Sequence, residues 1–191
     1  MKTKDFVNIG AFTAIYFVLV FATGMLGVIN PLMMFVGYLL GITANSAVIG
    51  LFKARVPATG ALTIMGLLVG GLMVLTGHPW IVVILTPLLG FAGEFIMVRG
   101  GFSRLANSLG YAVLTIWYIV PWFPVFINAE SYREYIVSSM GDAYAAKLDW
   151  FLSPLPIVCW GLFAFVAAFL AAYFFGQKLV TRHFAKAGIA K

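Results

Sequence analysis

Long apolar runs separated by short breaks constrain this chain more than any other feature. A helix needs about 20 mostly apolar residues to cross the hydrocarbon of a bilayer. Six stretches of about that length follow one another, at residues 6–29, 32–52, 58–76, 80–98, 104–127 and 154–176. The sequence therefore predicts an all-α integral membrane protein, in which residues 1–191 form a single domain of six transmembrane helices.

The composition also favours a membrane protein. The chain is 63% hydrophobic and 9% charged, with a mean hydropathy of +1.04, whereas soluble domains average about 45–50% apolar and about 25% charged residues. The first run is longer than the roughly 7–15 residues of a signal-peptide core, so we expect it to be retained. The single cysteine, Cys159, excludes an internal disulfide, and its apolar neighbours predict a packing role.

Basic residues are distributed unevenly between the two sides of the predicted bundle. With six spans, both termini share one side with loops 53–57 and 99–104. That side holds all 12 Lys and Arg residues except Arg133 and Lys147. Because cytoplasmic loops are enriched in Lys and Arg, both termini are predicted to be cytoplasmic. The net charge of +6 then reflects topology beside an anionic leaflet, and we expect no nucleic-acid partner.

Residues 128–153 form the one long polar loop, which the same argument makes extracellular. The apolar positions Tyr132, Tyr135, Ile136 and Met140 recur there at spacings of three and four. This spacing is typical of an amphipathic helix. The sequence therefore predicts a short surface helix in the extracellular loop between the fifth and sixth spans.

Aromatic residues are concentrated in the outer halves of the spans. One interpretation is an interfacial belt, and the other is a solute pocket walled by flat rings. Pro121 and Pro124 favour the pocket, because irregular backbone at membrane depth is tolerated where it is buried or lines a cavity. The candidate solute-binding residues are His78, Trp80, Trp117, Tyr118, Trp122, Asn128 and Trp160.

Polar groups inside the spans are few. Glu94 is the one acid within a predicted span, and such an acid is a candidate for an ion or proton pathway. Its position near the cytoplasmic interface also allows a structural ion pair with Arg99 or Arg104. The amides of Asn45 and Asn107 are predicted to act as hydrogen-bonding glue between helices.

Patterns of known catalytic and metal chemistry are absent from the sequence. It has no His-x-x-x-His, no Gly-x-Ser-x-Gly, no pair of carboxylates within the spans and no P-loop. We therefore expect no enzymatic activity, no cofactor and no metal site, and any ATP hydrolysis would come from another chain. A stand-alone secondary transporter using Glu94 remains an alternative, as does an intramembrane enzyme or assembly factor.

Small residues recur at helical spacing in every span. Gly66 and Gly70 in the third span, and Ala164 and Ala168 in the sixth, are interpreted as internal packing positions, since small residues allow close helix contact in a bilayer. Residues 10–14 differ because they lie at the basic, cytoplasmic end of the first span, where a partner can reach them. Gly10 and Ala14 share one helix face, with Ala11 beside them.

Two stretches, residues 4–17 (KDFVNIGAFTAIYF) and 107–112 (NSLGYA), together with the layout of six spans, resemble one known family. This is the Trep_Strep subfamily of S components, the substrate-binding membrane subunits of energy-coupling factor (ECF) importers of prokaryotes. The resemblance implies a multi-pass protein of the prokaryotic cell membrane with an outward pocket for a vitamin or similar micronutrient. It also implies that an Ala-xxx-Ala patch, here Gly10 to Ala14, docks onto a membrane T component joined to two cytosolic ATPases. The S component is then expected to topple in the membrane to release its solute inside.

Overall fold

The computed structural model describes residues 1–179, without the side chain of Gln177. Arg182, Lys186 and Lys191, which the charge count placed in a basic tail, lie outside the described residues. Every regular element within residues 1–179 is helical. The α-helices are α1 (Thr3–Gly24), α2 (Leu26–Ile29), α3 (Met33–Arg55), α4 (Ala61–Leu75), α5 (Ile81–Arg99), α6 (Arg104–Thr115), α7 (Val125–Met140), α8 (Asp142–Ala146), α9 (Pro154–Leu170) and α10 (Gln177–Leu179).

Four helical stretches among the described residues are long and apolar enough to cross a membrane. They are Thr3–Ile29, Met33–Arg55, Ile81–Arg99 and Pro154–Gly176. The last of these combines α9 with a π-helical segment, Ala171–Gly176. Helix α4 is apolar but has only 15 residues, which is shorter than the about 20 that a perpendicular span needs.

The predicted fifth span, 104–127, is not a single α-helix. Helix α6 is followed by a 3-10 segment, Ile116–Trp122, and this pair is bent by 56° from α7. The cause is local, because Pro121 and Pro124 have no N–H to continue the α-helical hydrogen-bond ladder. Counted as one broken span, these elements bring the candidate spans in residues 1–179 to five.

Helices α4, α5 and α6 pack as consecutive neighbours through small residues. A Cβ on Gly66 would lie 2.8 Å from the backbone oxygen of Thr86 in α5, and one on Gly70 would lie 2.9 Å from that of Val82. In α9, Ala164 and Ala168 are buried in the same core. The prediction that these small residues serve internal packing is therefore confirmed.

The bundle has two ends with different contents. We call the end where α1 begins, α3 meets α4 and α5 meets α6 the basic end. The opposite end, formed by α2, the α4–α5 turn, the 3-10 segment, α7 and α8, we call the aromatic end. A large apolar cluster fills the bundle, and a second cluster joins the start of α3 to α7, α8 and residues 148–157.

Cys159 lies on the outside of α9, where its side chain is exposed. The sequence interpretation of Cys159 as a packing residue is therefore wrong for the described chain. Its apolar neighbours reflect the hydrocarbon-facing surface of a membrane helix, since such a helix is apolar on both its buried and its lipid-facing sides.

Candidate functional site

Two adjoining cavities lie at the aromatic end. Their volumes are about 320 and 360 Å³, within the roughly 300–1,000 Å³ of small-molecule sites. They share a wall to which α3, the α4–α5 turn, α7 and α8 all contribute. The residues that line both are Met34, Tyr38, Thr76, His78, Met140 and Tyr144.

His78 is positioned by the way α4 ends. Gly77 adopts a φ of +93°, the His78 N–H bonds to the Met73 carbonyl at 3.1 Å, and the Gly77 N–H bonds to that of Val74 at 3.0 Å. These two bonds form a Schellman motif, in which the left-handed residue is usually glycine. The Gly-His-Pro sequence thus directs the chain back toward α4 and sets His78 against the cavity.

The imidazole of His78 is held through Nδ1. This atom lies 3.1 Å from the Met73 carbonyl oxygen and 3.2 Å from the Thr76 hydroxyl. A carbonyl oxygen only accepts, so Nδ1 carries the proton and Nε2 of the neutral ring is an acceptor. Burial lowers the pKa of His78, an effect that the hydrogen bond to Met73 partly offsets, and the ring is therefore neutral at neutral pH.

Tyrosine hydroxyls fasten the cap formed by α7 and α8 over the cavities. The Tyr135 hydroxyl donates to the Gly77 carbonyl at 2.8 Å, and that of Tyr144 donates to the Gly27 carbonyl at 3.0 Å. Gly141, with a φ of +87°, makes the sharp turn between the two helices. The cap is therefore tied to two other parts of the aromatic end by side-chain bonds to the backbone.

Exposed charges join the parts of the cap to each other. The Arg133 guanidinium donates to Asp149 at 2.7 Å and to Asp142 at 3.2 Å. Hydrogen bonding from Arg133 lowers the pKa of Asp149 below its ordinary value. Arg133 thereby connects α7 to Asp142 at the start of α8 and to Asp149 in the segment after α8.

Of the seven predicted solute-binding residues, His78 and Trp122 line the cavity. Trp117 and Tyr118 are instead buried in the bundle core, at 1% and 2% exposure. There the Trp117 indole donates to the Tyr16 hydroxyl at 2.7 Å. Within the same 3-10 segment, Trp117 and Tyr118 therefore lie in the core, whereas Trp122 lies at the cavity.

The other three predicted residues also lie away from the two cavities. Trp80 is 67% exposed, and Trp160 packs edge-on against Phe35 with ring centroids 4.8 Å apart. Asn128 marks the kink at the start of α7, with φ −155° and ψ 98°. Its side chain accepts a hydrogen bond from the Ser131 N–H at 3.0 Å, as an N-cap residue does.

Sequence reasoning missed most of the cavity wall. It treated the stripe on α7 (Tyr132, Tyr135, Ile136 and Met140) only as evidence of a helix, yet all four residues line the cavity. The apolar face of an amphipathic helix must pack against other parts of the protein or enclose a cavity. This requirement was the sequence signal that could have located the wall. Tyr38 and Tyr144 had no comparable pattern in the sequence.

Glu94 is part of a buried network at the basic end. Its carboxylate lies 2.5 Å from the Lys53 ammonium, and the two side chains are 1% and 3% exposed. The same carboxylate accepts the Gly60 N–H at 2.6 Å and the Leu62 N–H at 3.4 Å. Glu94 thus neutralises Lys53 and satisfies N–H groups at the start of α4, where the helix dipole favours a negative charge.

The prediction that Glu94 pairs with Arg99 or Arg104 is wrong. Arg99 lies over the ring of Phe95, 5.0 Å from its centroid. Arg104 donates to the Tyr173 carbonyl at 2.8 Å, within the π-helical segment. Both arginines are near Glu94 in sequence, but the helical backbone turns their side chains elsewhere.

The two intramembrane amides behave differently from each other. Asn45 Nδ2 lies 3.4 Å from the Tyr16 carbonyl, which joins α3 to α1 as expected of interhelical glue. Asn107 Nδ2 bonds to the Phe102 carbonyl at 2.9 Å, within the turn before α6. The hydrogen bond of Asn107 is therefore local, and the prediction that this bond joins two helices is wrong within residues 1–179.

The face of α1 that carries residues 10–14 is uncovered in the described chain. Gly10, Ala11 and Ala14 are all exposed. A Cβ built on Gly10 meets nothing within 4 Å. These small residues therefore do not serve packing within residues 1–179.

Neither the curated proteins nor the solved structures include a match to this chain. Within the described residues, no group of three or more His, Cys, Asp and Glu side chains is arranged to hold a metal ion.

A family sequence profile, described as that of a hypothetical bacterial integral membrane protein (Trep_Strep), matches residues 3–186. Because the match spans nearly the whole sequence, the chain belongs to the Trep_Strep family of bacterial integral membrane proteins.

Proposed function

We propose that this chain is the substrate-binding S component of an ECF-type importer. It binds a vitamin or similar micronutrient in the cavities of the aromatic end, which faces outward. It docks through α1 onto a membrane T component that works with two cytosolic ATPases. The observation that carries the proposal is the separation of the cavities from the uncovered small-residue face of α1, at opposite ends of the bundle.

The charge distribution supports this orientation. Lys2, Lys4, Lys53 and Arg99 lie at the basic end, as expected of the cytoplasmic side. In a Cys159→Ala background, Lys147→Cys should react with a membrane-impermeant maleimide on intact cells, and Lys4→Cys only after permeabilisation. Reaction in the reverse pattern would overturn the orientation.

The docking surface is tested by adding bulk to it. Gly10→Leu and Ala14→Leu should abolish transport while leaving solute binding by the isolated chain unchanged, because both positions are exposed. Ala22→Leu is a matched control, since it is exposed on the same helix near the aromatic end. Equal loss of binding and transport would mean that residues 10–14 serve folding instead.

The partners are tested by co-purification. The chain extracted from its native membrane should carry a T component and ATPases, and the Ala14→Leu protein should lose them. Persistent absence of these partners from the unaltered chain would overturn the proposal.

The secondary-transporter alternative depends on Glu94. Pairing with Lys53 and with two backbone N–H groups favours a structural role, because each carboxylate oxygen already has a partner. Uptake that an uncoupler abolishes but ATP depletion does not would favour the alternative.

A further inference from the structure

The chemistry of the cavity wall restricts the class of solute. No Asp, Glu, Lys or Arg among the described residues lines either cavity. A formal charge on the solute would lose hydration there without gaining a counter-charge, which is costly. The nearby Arg133 does not supply one, because it is engaged with Asp142 and Asp149 on the exposed side of the cap.

His78 adds a specific polar requirement. Both hydrogen bonds of its ring within residues 1–179 involve Nδ1, so Nε2 of the neutral imidazole is left as an acceptor. A solute that fills the cavity should therefore present an N–H or O–H group to this atom. A solute without a donor would leave the nitrogen desolvated and unpaired.

The remaining wall is suited to a flat ring. Tyr38, Tyr132 and Tyr144 contribute aromatic faces, and Met34 and Met140 contribute flexible thioether side chains. Aromatic rings and thioethers both make favourable contacts with a planar conjugated molecule.

We propose that the solute is an uncharged planar heteroaromatic molecule that donates an N–H to His78 Nε2. This rests on the proposed function only in taking the cavities as the solute site. His78 is then the residue that selects for a donor on the solute.

Two matched pairs of probes test the class on the purified full-length chain by saturation-transfer NMR at millimolar concentration. Uracil and orotate differ by a carboxylate, and theophylline and caffeine differ by the methylation of one N–H. Uracil should bind and orotate should not, and theophylline should bind about tenfold more tightly than caffeine. Equal binding within either pair, or no binding by any probe, would overturn the proposal.

A His78→Asn variant tests the assignment of the donor preference. The Asn amide keeps a donor for the Met73 carbonyl but lacks an acceptor at the Nε2 position, so the preference for theophylline over caffeine should disappear. Trp80→Phe on the same turn, outside both cavities, should keep it. An unchanged melting temperature shows that the His78→Asn chain is folded, and a preference retained in that chain would overturn the role of His78.

Failure of the solute class is distinguishable from failure of the proposed function. The probes are measured on the isolated chain, whereas the S-component role is tested by co-purification and transport. A chain that binds orotate yet still carries a T component and ATPases would overturn the solute class alone.

Discussion

The two ends of the bundle differ in how they treat polar groups and space. At the basic end, the buried Lys53–Glu94 pair is surrounded by backbone donors, and the cavity beside Lys53 is only about 10 Å³. At the aromatic end, cavities of about 320 and 360 Å³ are covered by a cap tied down by exposed or half-buried groups. The basic end is filled and its buried ion pair is satisfied, whereas the aromatic end encloses open space.

This difference indicates where motion is least costly. Opening the basic end would separate buried charges, which carries a large desolvation cost. Opening the aromatic end breaks single hydrogen bonds such as that of Tyr135, each worth about 1 kcal/mol net. We therefore expect local opening to be concentrated in the cap, and the following changes test that expectation.

Removing one partner of the buried pair should have the largest effect. Glu94→Gln removes the counter-charge of the buried Lys53, and should lower the free energy of unfolding by about 3–5 kcal/mol. The measurement is unfolding in detergent, with Glu130→Gln, an exposed acid of the cap, as the control. Unchanged stability with loss of uptake would instead favour an ion pathway through Glu94.

Filling a close helix contact near the basic end should have the next largest effect. A Cβ on Gly93 would collide with the backbone carbonyl of Gly110 in α6, and backbone cannot move aside as a side chain can. Gly93→Ala should therefore lower stability by about 1–3 kcal/mol. Gly71→Ala, where nothing lies within 4 Å, should be neutral or stabilising, and equal effects of the two would show that this contact is not tight.

Loosening the cap should have a smaller and local effect. Tyr135→Phe removes the hydrogen bond to the Gly77 carbonyl, a loss of about 1 kcal/mol. Hydrogen exchange should accelerate in α7 and in the α4–α5 turn but not at the basic end. Ser138→Ala, which removes a bond confined to α7, is the control, and uniform acceleration along the chain would contradict local opening.

Changing the exposed ion pairs of the cap should have the smallest effect. A carboxyl such as Asp149, whose pKa is depressed in the folded state, adds stability above its unfolded pKa of about 3.9. That contribution is lost as the pH falls through the lower, folded pKa. The protection of cap amides, expressed relative to the intrinsic exchange rate at each pH, should therefore fall when the pH drops below about 4, and Arg133→Gln should remove most of this dependence. An unchanged pH profile in that variant would show that the pairs are not formed in solution.

The sequence allowed the span positions to be predicted more accurately than the site. Hydropathy locates a span such as Met33–Arg55 because lipid exposure makes a membrane helix apolar on all sides. The same property hides which side faces the interior, so periodicity did not separate cavity residues from core or lipid-facing residues. Trp117, Tyr118 and Trp122 illustrate this, because they look equivalent in sequence, yet of the three only Trp122 lines one of the two cavities described at the aromatic end.

The partner of Glu94 could not be read locally either. Arg99 and Arg104 are close to Glu94 in sequence, whereas Lys53 is 41 residues away. Contact between the two depends on how α3 and α5 are rotated about their axes. That rotation is fixed by close contacts across the whole bundle.

By itself, the sequence determined that the chain is an apolar helical membrane protein of the Trep_Strep family, with most of its Lys and Arg residues in segments predicted to share one side. These properties follow from composition and from local order along the chain. Only the tertiary structure decided that Glu94 neutralises Lys53, and that the tyrosines of the cap enclose a cavity beside His78. Those relations join residues distant in sequence, and they depend on how each helix is rotated about its axis, which no local pattern specifies.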